Sequence, residues 1–82
     1  MREEKVEELI NKIKGYARVS IEGEEIIIDD GRIPPISIIP VHTAEGTAYD
    51  LMIPRTWFDV QVIPCKTKEE ALRKVLRMLK QR

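Results

Sequence analysis

Apolar residues near both ends of the chain recur with the i, i+3, i+4, i+7 spacing of one helical face. The first stripe is Val6, Leu9, Ile10 and Ile13, and the second is Leu72, Val75, Leu76 and Leu79. Gly15 stands where a left-handed C-terminal cap would end the first helix, and Thr67 with Glu70 forms a capping-box pattern before the second. The spacing predicts helices at about residues 2–14 and 68–81.

The segment between the helices is rich in β-branched residues, which favour strands. Positions 16–64 hold 14 of the 18 isoleucine and valine residues, whereas four of the five leucines lie outside them. The predicted strands are a hairpin that turns at Glu22 to Glu25, segments 36–43 and 47–53, and a last strand in which Phe58, Val60 and Val62 alternate with polar residues. We therefore expect residues 1–82 to form one α+β domain, an antiparallel sheet of four or five strands with both terminal helices packed on one face.

Four of the five prolines follow isoleucine, and they should mark strand ends or sheet edges because proline donates no ladder hydrogen bond. The segment from Ile33 to Val41 has apolar residues at both alternating positions, so both sides of an extended strand would be apolar. Two helices can cover only one face of the sheet. We predict that a second copy of the chain covers the other, through Ile33, Ile36, Ile38, Ile39 and Val41. The alternative is a proline-bent loop folded over its own core.

The net charge of zero hides an uneven distribution, with −5 in residues 16–64 and +5 in residues 65–82. On a helical wheel, the second helix presents a basic ridge opposite its apolar stripe, formed by Arg73, Lys74, Arg77 and Lys80. This ridge could bind phosphates or an acidic protein surface. The Glu69 to Arg73 and Glu70 to Lys74 spacings favour an ordinary solvated face instead, since they allow i, i+4 ion pairs.

Arg55 and Trp57 are the candidate anchor for a protein partner, because a cation lies beside two of only four aromatic residues there. With aromatics at 5%, we favour the alternative that Phe58 points into the core and Trp57 covers a sheet edge. No catalytic or ligand motif is present. The single cysteine, Cys65, and the single histidine, His42, exclude a zinc site of the cysteine and histidine type, and we predict neither metal nor cofactor.

These patterns predict a non-enzymatic, self-associating interaction module whose partner is a protein. The alternative is a nucleic-acid-associated protein that uses the basic ridge as a homodimer. No apolar run reaches the length of a membrane span, and the charged N-terminal segment is unlike a signal peptide, so we expect a cytoplasmic protein without membrane contact. Only three asparagine and glutamine residues occur, a bias typical of thermophilic sources.

Overall fold

The computed structural model describes residues 2–56 and 58–81, with side chains from residue 5 onward. Two helices, α1 (Arg2–Lys14) and α2 (Lys68–Lys80), flank five strands. The strands are β1 (Arg18–Glu22), β2 (Glu25–Asp29), β3 (Ile36–Thr43), β4 (Gly46–Pro54) and β5 (Val60–Cys65). They form one antiparallel sheet in the order β1-β2-β3-β4-β5, so each strand pairs with its neighbours in sequence. The predicted α+β class is confirmed.

The apolar stripes of both helices pack against the same face of this sheet. Core-facing strand residues lie side by side in the register, as Ile26, Ile38 and Leu51 do across β2, β3 and β4. The buried core consists of Ile13, Ile26, Ile28, Ile36, Ile38, Leu51, Ile53, Cys65, Ala71, Leu72, Val75, Leu76 and Leu79. Full burial of an aliphatic side chain contributes about 1.5 to 3 kcal/mol, so this cluster holds the helices on the sheet.

The start of α2 follows the predicted capping pattern with one difference. Thr67 is the N-cap, and its Oγ1 accepts a hydrogen bond from the backbone N–H of Glu70 at 3.1 Å. The Glu70 carboxylate accepts from the backbone N–H of Lys66 at 3.2 Å, one residue before the cap. Both bonds satisfy amides that the helix itself leaves without partners.

The end of α1 differs from the prediction, because positive φ values occur at Gly23, Gly31 and Gly46 and not at Gly15. The Gly15 amide donates to the backbone carbonyl of Lys12 at 3.2 Å. This i to i−3 bond closes the last turn of α1, so no left-handed cap is needed. The three glycines with positive φ lie in or beside the β1–β2, β2–β3 and β3–β4 connections. Gly23 has a φ of 64° in the β1–β2 turn, where a side chain would strain the backbone.

Two of the four prolines that follow isoleucine lie at a strand end or sheet edge, as predicted, whereas Pro34 lies in the β2–β3 loop and Pro40 lies within a central strand. Pro54 is the last residue of β4, and Pro64 lies in the edge strand β5. Pro40 is inside β3, but β2 pairs with β3 only as far as Ile38, so the missing N–H causes no loss on that side.

Side chains that alternate with the core residues project from the opposite face of the sheet, which we call the outer face. Its members along β1 and β2 are Arg18, Ser20, Glu22, Glu25, Ile27 and Asp29, and along β3 they are Ser37, Ile39, Val41 and Thr43. Along β4 and β5 they are Ala48, Asp50, Met52, Pro54, Val60, Val62 and Pro64. Both helices lie on the other side of the sheet.

Candidate interaction surfaces

The outer face carries an apolar patch that extends over β2 to β5. One row across these strands contains Ile27, Ser37, Met52 and Val62, which are neighbours in the register. Ile27, Ile39 and Met52 are half-buried by their neighbours, and Val60 and Val62 are exposed. A contiguous apolar patch on one face of a small domain is typical of an interaction site.

The strand β3 divides the predicted dimer interface between the two faces of the sheet. Ile36 and Ile38 are both 0% exposed and lie in the core beneath the helices, so they are unavailable to a second copy and this part of the prediction is wrong. Ile39 and Val41 lie on the outer face, and Ile33 is 73% exposed in the loop before β3. Both sides of β3 are apolar because alternate residues face the core on one side of the sheet and the outer face on the other.

The charged residues of the outer face lie mainly at one side of the apolar patch. Arg18, Glu22, Glu25 and Asp29 occupy the ends of β1 and β2. Asp50 is the exception, since it is half-buried between Ile39 and Pro64 in the register. The apolar patch therefore has a charged rim along β1 and one carboxylate within it.

The turn between β4 and β5 presents an aromatic side chain to solvent. Phe58 is 98% exposed, so the expectation that it points into the core is wrong. Phe58 lies two residues before β5, in a turn closed by backbone hydrogen bonds of Asp59 with Arg55 and Thr56. Its amide donates to Thr56 Oγ1 at 3.3 Å. The backbone of this turn is ordered by hydrogen bonds, so it has little conformational entropy to lose on binding.

Arg55, one of the two predicted anchor residues, lies in this same turn. The Arg55 backbone N–H donates to the backbone carbonyl of Asp59 at 2.8 Å. The Arg55 guanidinium donates from two nitrogens to Gln61 Oε1. Trp57 lies outside the described residues. The exposed tip thus contains Arg55 together with Phe58, which the sequence placed in the core.

The adjacent loop is fixed by a charged clamp that the sequence did not reveal. Asp30 has a side chain that is 1% exposed, and its carboxylate receives two bonds from Arg32 Nε at 3.0 and 3.1 Å. Arg32 also donates from Nη1 to the carbonyl of Pro54 at 3.0 Å. The clamp ties the β2–β3 loop to the end of β4 and holds the base of the exposed tip.

The basic ridge of α2 faces solvent. Arg73, Arg77 and Lys80 are exposed, Lys74 is half-buried, and the apolar stripe opposite them is buried, as the wheel predicts. Within residues 5–56 and 58–81, none of the four cations forms an ion pair with a carboxylate. The i, i+4 pairs that favour an ordinary solvated face are therefore not formed, and Glu70 instead caps the helix.

Arg73 also lines a groove between the two helices, about 250 Å³ in volume. The other residues of this groove are Lys5, Glu8, Leu9 and Lys12 of α1. Sequence reasoning missed the two lysines, because their position beside Arg73 depends on how α1 packs against α2. Three cations and one carboxylate share this groove.

His42 and Cys65 each have their own surroundings. His42 Nε2 lies 3.4 Å from a Glu24 carboxylate oxygen, and both side chains are largely exposed. Cys65 is buried, and its thiol donates to the Ile63 carbonyl at 3.5 Å. Burial, reinforced by the negative charge of Glu70, raises the pKa of Cys65, so the thiol is a poor nucleophile. In the described ranges, no three potential ligands are grouped as a metal would require.

A second concave region, of about 500 Å³, lies where the helices leave the sheet uncovered at the end of β1. Ile21, Ile10 and Tyr49 line it, and Lys68 Nζ lies 5.7 Å from the centre of the Tyr49 ring. Its charged lining has both signs, from Glu7 and Glu69 as well as from lysines, so no class of ligand is indicated.

No protein-family model matches the chain, and no curated protein or solved structure matches it either. Neither described helix has the length and hydropathy that crossing a bilayer would need.

Proposed function

We propose that the chain is a non-enzymatic interaction module that self-associates through the outer face of its sheet and binds a protein partner. The observation that carries this proposal is the apolar patch around Ile39, Met52 and Val62, which neither helix covers. Burying such a patch against a matching one removes apolar surface from water on both copies, and face-to-face sheet packing is a common arrangement.

The size of the face is at the lower limit for a stable dimer. Five strands about 4.8 Å apart and about 22 Å long give a flat area of about 500 Å², before the relief of the side chains is added. The smallest stable interfaces bury about 600 Å² on each partner. A dimer would therefore need the whole outer face, including the relief of its side chains, with the patch at the centre and the charged residues at the rim.

The charges of the face are compatible with this arrangement. Four of the five charged side chains lie along β1 and β2, so pairing centred on β3 to β5 leaves them at the rim in water. Asp50 alone would be drawn towards the interface, and desolvating its carboxylate opposes association. We therefore expect Asp50→Asn to tighten the dimer.

Two matched isoleucine variants test the proposal. Ile39→Lys puts a charge into the patch and should give a folded monomer, whereas Ile21→Lys, at a site 59% exposed on the helix side, should stay dimeric. Light scattering gives the mass, and circular dichroism confirms that each variant folds. Wild-type protein that remains at 9.5 kDa at every concentration would reject the proposal.

The protein partner is proposed to contact the exposed tip, where Arg55 and Phe58 are both exposed and belong to one hydrogen-bonded turn. Aromatic and arginine side chains are the usual energetic centres of protein interfaces. A photoreactive side chain at position 58 should cross-link the partner in cells of the source organism, and the same group at Lys14 should not. The cytoplasmic location and the thermophilic source stay predictions.

A second candidate function is association with nucleic acid through the basic ridge of α2. It is supported by the exposure of Arg73, Arg77 and Lys80 without ion pairs among the described residues. Replacing all three by glutamine should abolish a gel shift of mixed-sequence DNA and leave the fold intact. Equal gel shifts by the wild type and the triple variant would remove this candidate.

A further inference from the structure

We infer that the groove between α1 and α2, lined by Lys5, Lys12 and Arg73, binds phosphate groups. The inference rests on the second candidate function and extends it to α1, which contributes two of the three cations. The ligand is identified by its chemistry, as a phosphate of a nucleic-acid backbone or a free phosphate.

The cations of the groove come from two helices and converge on one space. Lys5 and Lys12 are seven residues apart, which is about 10.5 Å along α1, and Arg73 faces them from α2. Within the described side chains, none of the three forms an ion pair. Their donors are therefore available to a ligand. The planar guanidinium of Arg73 suits bidentate contact with phosphate, and the lysines add positive charge.

The groove continues into the basic ridge. Arg77 and Lys80 follow Arg73 on the same exposed side of α2, one and two turns further along. A ligand with several phosphates could thus begin in the groove and follow the ridge, whereas a free phosphate would occupy only the groove. Residues 16–64, which include all of the sheet except Cys65, carry −5, so a polyanion would meet the helical side of the molecule.

Glu8 also lines the groove, and its negative charge opposes an anionic ligand. This gives the inference a variant that should gain function. Glu8→Gln should raise the affinity for phosphate, whereas Glu45→Gln, on the β3–β4 turn and outside the lining of the groove, should not change it. If the groove is only a solvated surface without a site, the two variants should have the same affinity for phosphate.

The decisive experiment compares Lys12→Gln with Lys14→Gln, because both remove one charge from α1 and only Lys12 lines the groove. The probes are a mixed-sequence DNA duplex, a single-stranded oligonucleotide and inorganic phosphate. For the duplex, Lys12→Gln should reduce the slope of log affinity against log salt by about 0.9 and Lys14→Gln should leave it unchanged. With inorganic phosphate, the NMR signals of Lys12 and Arg73 should shift and those of Lys14 should not.

The outcomes separate the groove from the function it rests on. In one outcome the triple variant of α2 loses nucleic-acid binding, but Lys12→Gln and Lys14→Gln have the same salt slope. That outcome would overturn the phosphate site in the groove and leave the second candidate function standing. Binding of inorganic phosphate alone supports the groove with a free phosphate as its ligand and removes the nucleic-acid candidate. No binding of any of the three probes overturns both.

Discussion

Ile38 and Ile39 are neighbours on β3 that face opposite sides of the sheet, so truncating each to alanine tests the account of both faces. Ile38 is fully buried beneath the helices, and Ile39 is half-buried on the outer face. Ile38→Ala should destabilise the chain at every protein concentration. Ile39→Ala should cost much less in dilute protein, and its cost should rise with concentration as the proposed dimer forms.

The expected magnitudes follow from burial. Each truncation removes three carbons, and at about 0.8 kcal/mol per buried carbon the transfer loss at Ile38 is about 2.4 kcal/mol. The cavity left behind raises the total to as much as about 5 kcal/mol. Because Ile39 is half-buried, its truncation should cost only about 1 kcal/mol in the monomer. Coverage by a second copy would bury the rest of the side chain, so the truncation should cost about 1 kcal/mol more in the dimer.

Urea unfolding at several protein concentrations measures both costs. With a typical slope of about 1 to 3 kcal/mol per molar urea, Ile38→Ala should lower the midpoint by on the order of 1 M. A one-residue slip of β3 would exchange the two faces, so a larger cost at Ile39 than at Ile38 would refute the register. A cost at Ile39 that is independent of concentration would refute its role in self-association.

Three further changes test other parts of the structure. Leu76→Ala, in the buried stripe of α2, should cost about 2 to 5 kcal/mol in thermal or urea unfolding, whereas Arg77→Ala on the exposed side should cost less than about 0.5. Arg32→Ala should cost about 1.5 to 3 kcal/mol by removing charged hydrogen bonds to Asp30, and Arg32→Lys should recover only part because lysine cannot form the bidentate contact. Because burial raises the pKa of Cys65, the folded protein keeps the thiol protonated more strongly than the unfolded chain does. The stability of the protein should therefore be unaffected by this thiol below its ordinary pKa of about 8.5 and should fall as the pH rises above that value. Stability of Cys65→Ala should lack this decline, and iodoacetamide should modify native protein at pH 8 far more slowly than unfolded protein.

The fold was largely predictable because local patterns determine most of it. Helical spacing located both helices, and the turn residues located the hairpins to within a residue or two. Phe58 was misplaced because its alternation with Val60 and Val62 predicts a core-facing position, whereas those valines lie on the outer face and Phe58 precedes β5 by two residues. The turn that carries Phe58 away from the core is held by bonds between Asp59 and residues 55–56, which alternation does not encode.

The surfaces were less predictable because they depend on contacts between distant parts of the chain. The sequence showed that the segment around Ile38 was apolar on both sides, but which side the helices cover requires the strand register. The groove of Lys5, Lys12 and Arg73 requires the packing of α1 against α2. The clamp from Arg32 to the Pro54 carbonyl joins positions 22 residues apart, so no local pattern reveals it.

The most direct test of the account is an isotope-filtered NOE experiment on a mixture of two differently labelled samples of the chain, which detects only contacts between copies. We expect contacts between copies at the methyl groups of Ile39, Met52 and Val62, and none at Ile38 or Leu72 in the core. Intermolecular contacts that map to the helices, or none at millimolar concentration, would contradict self-association through the outer face.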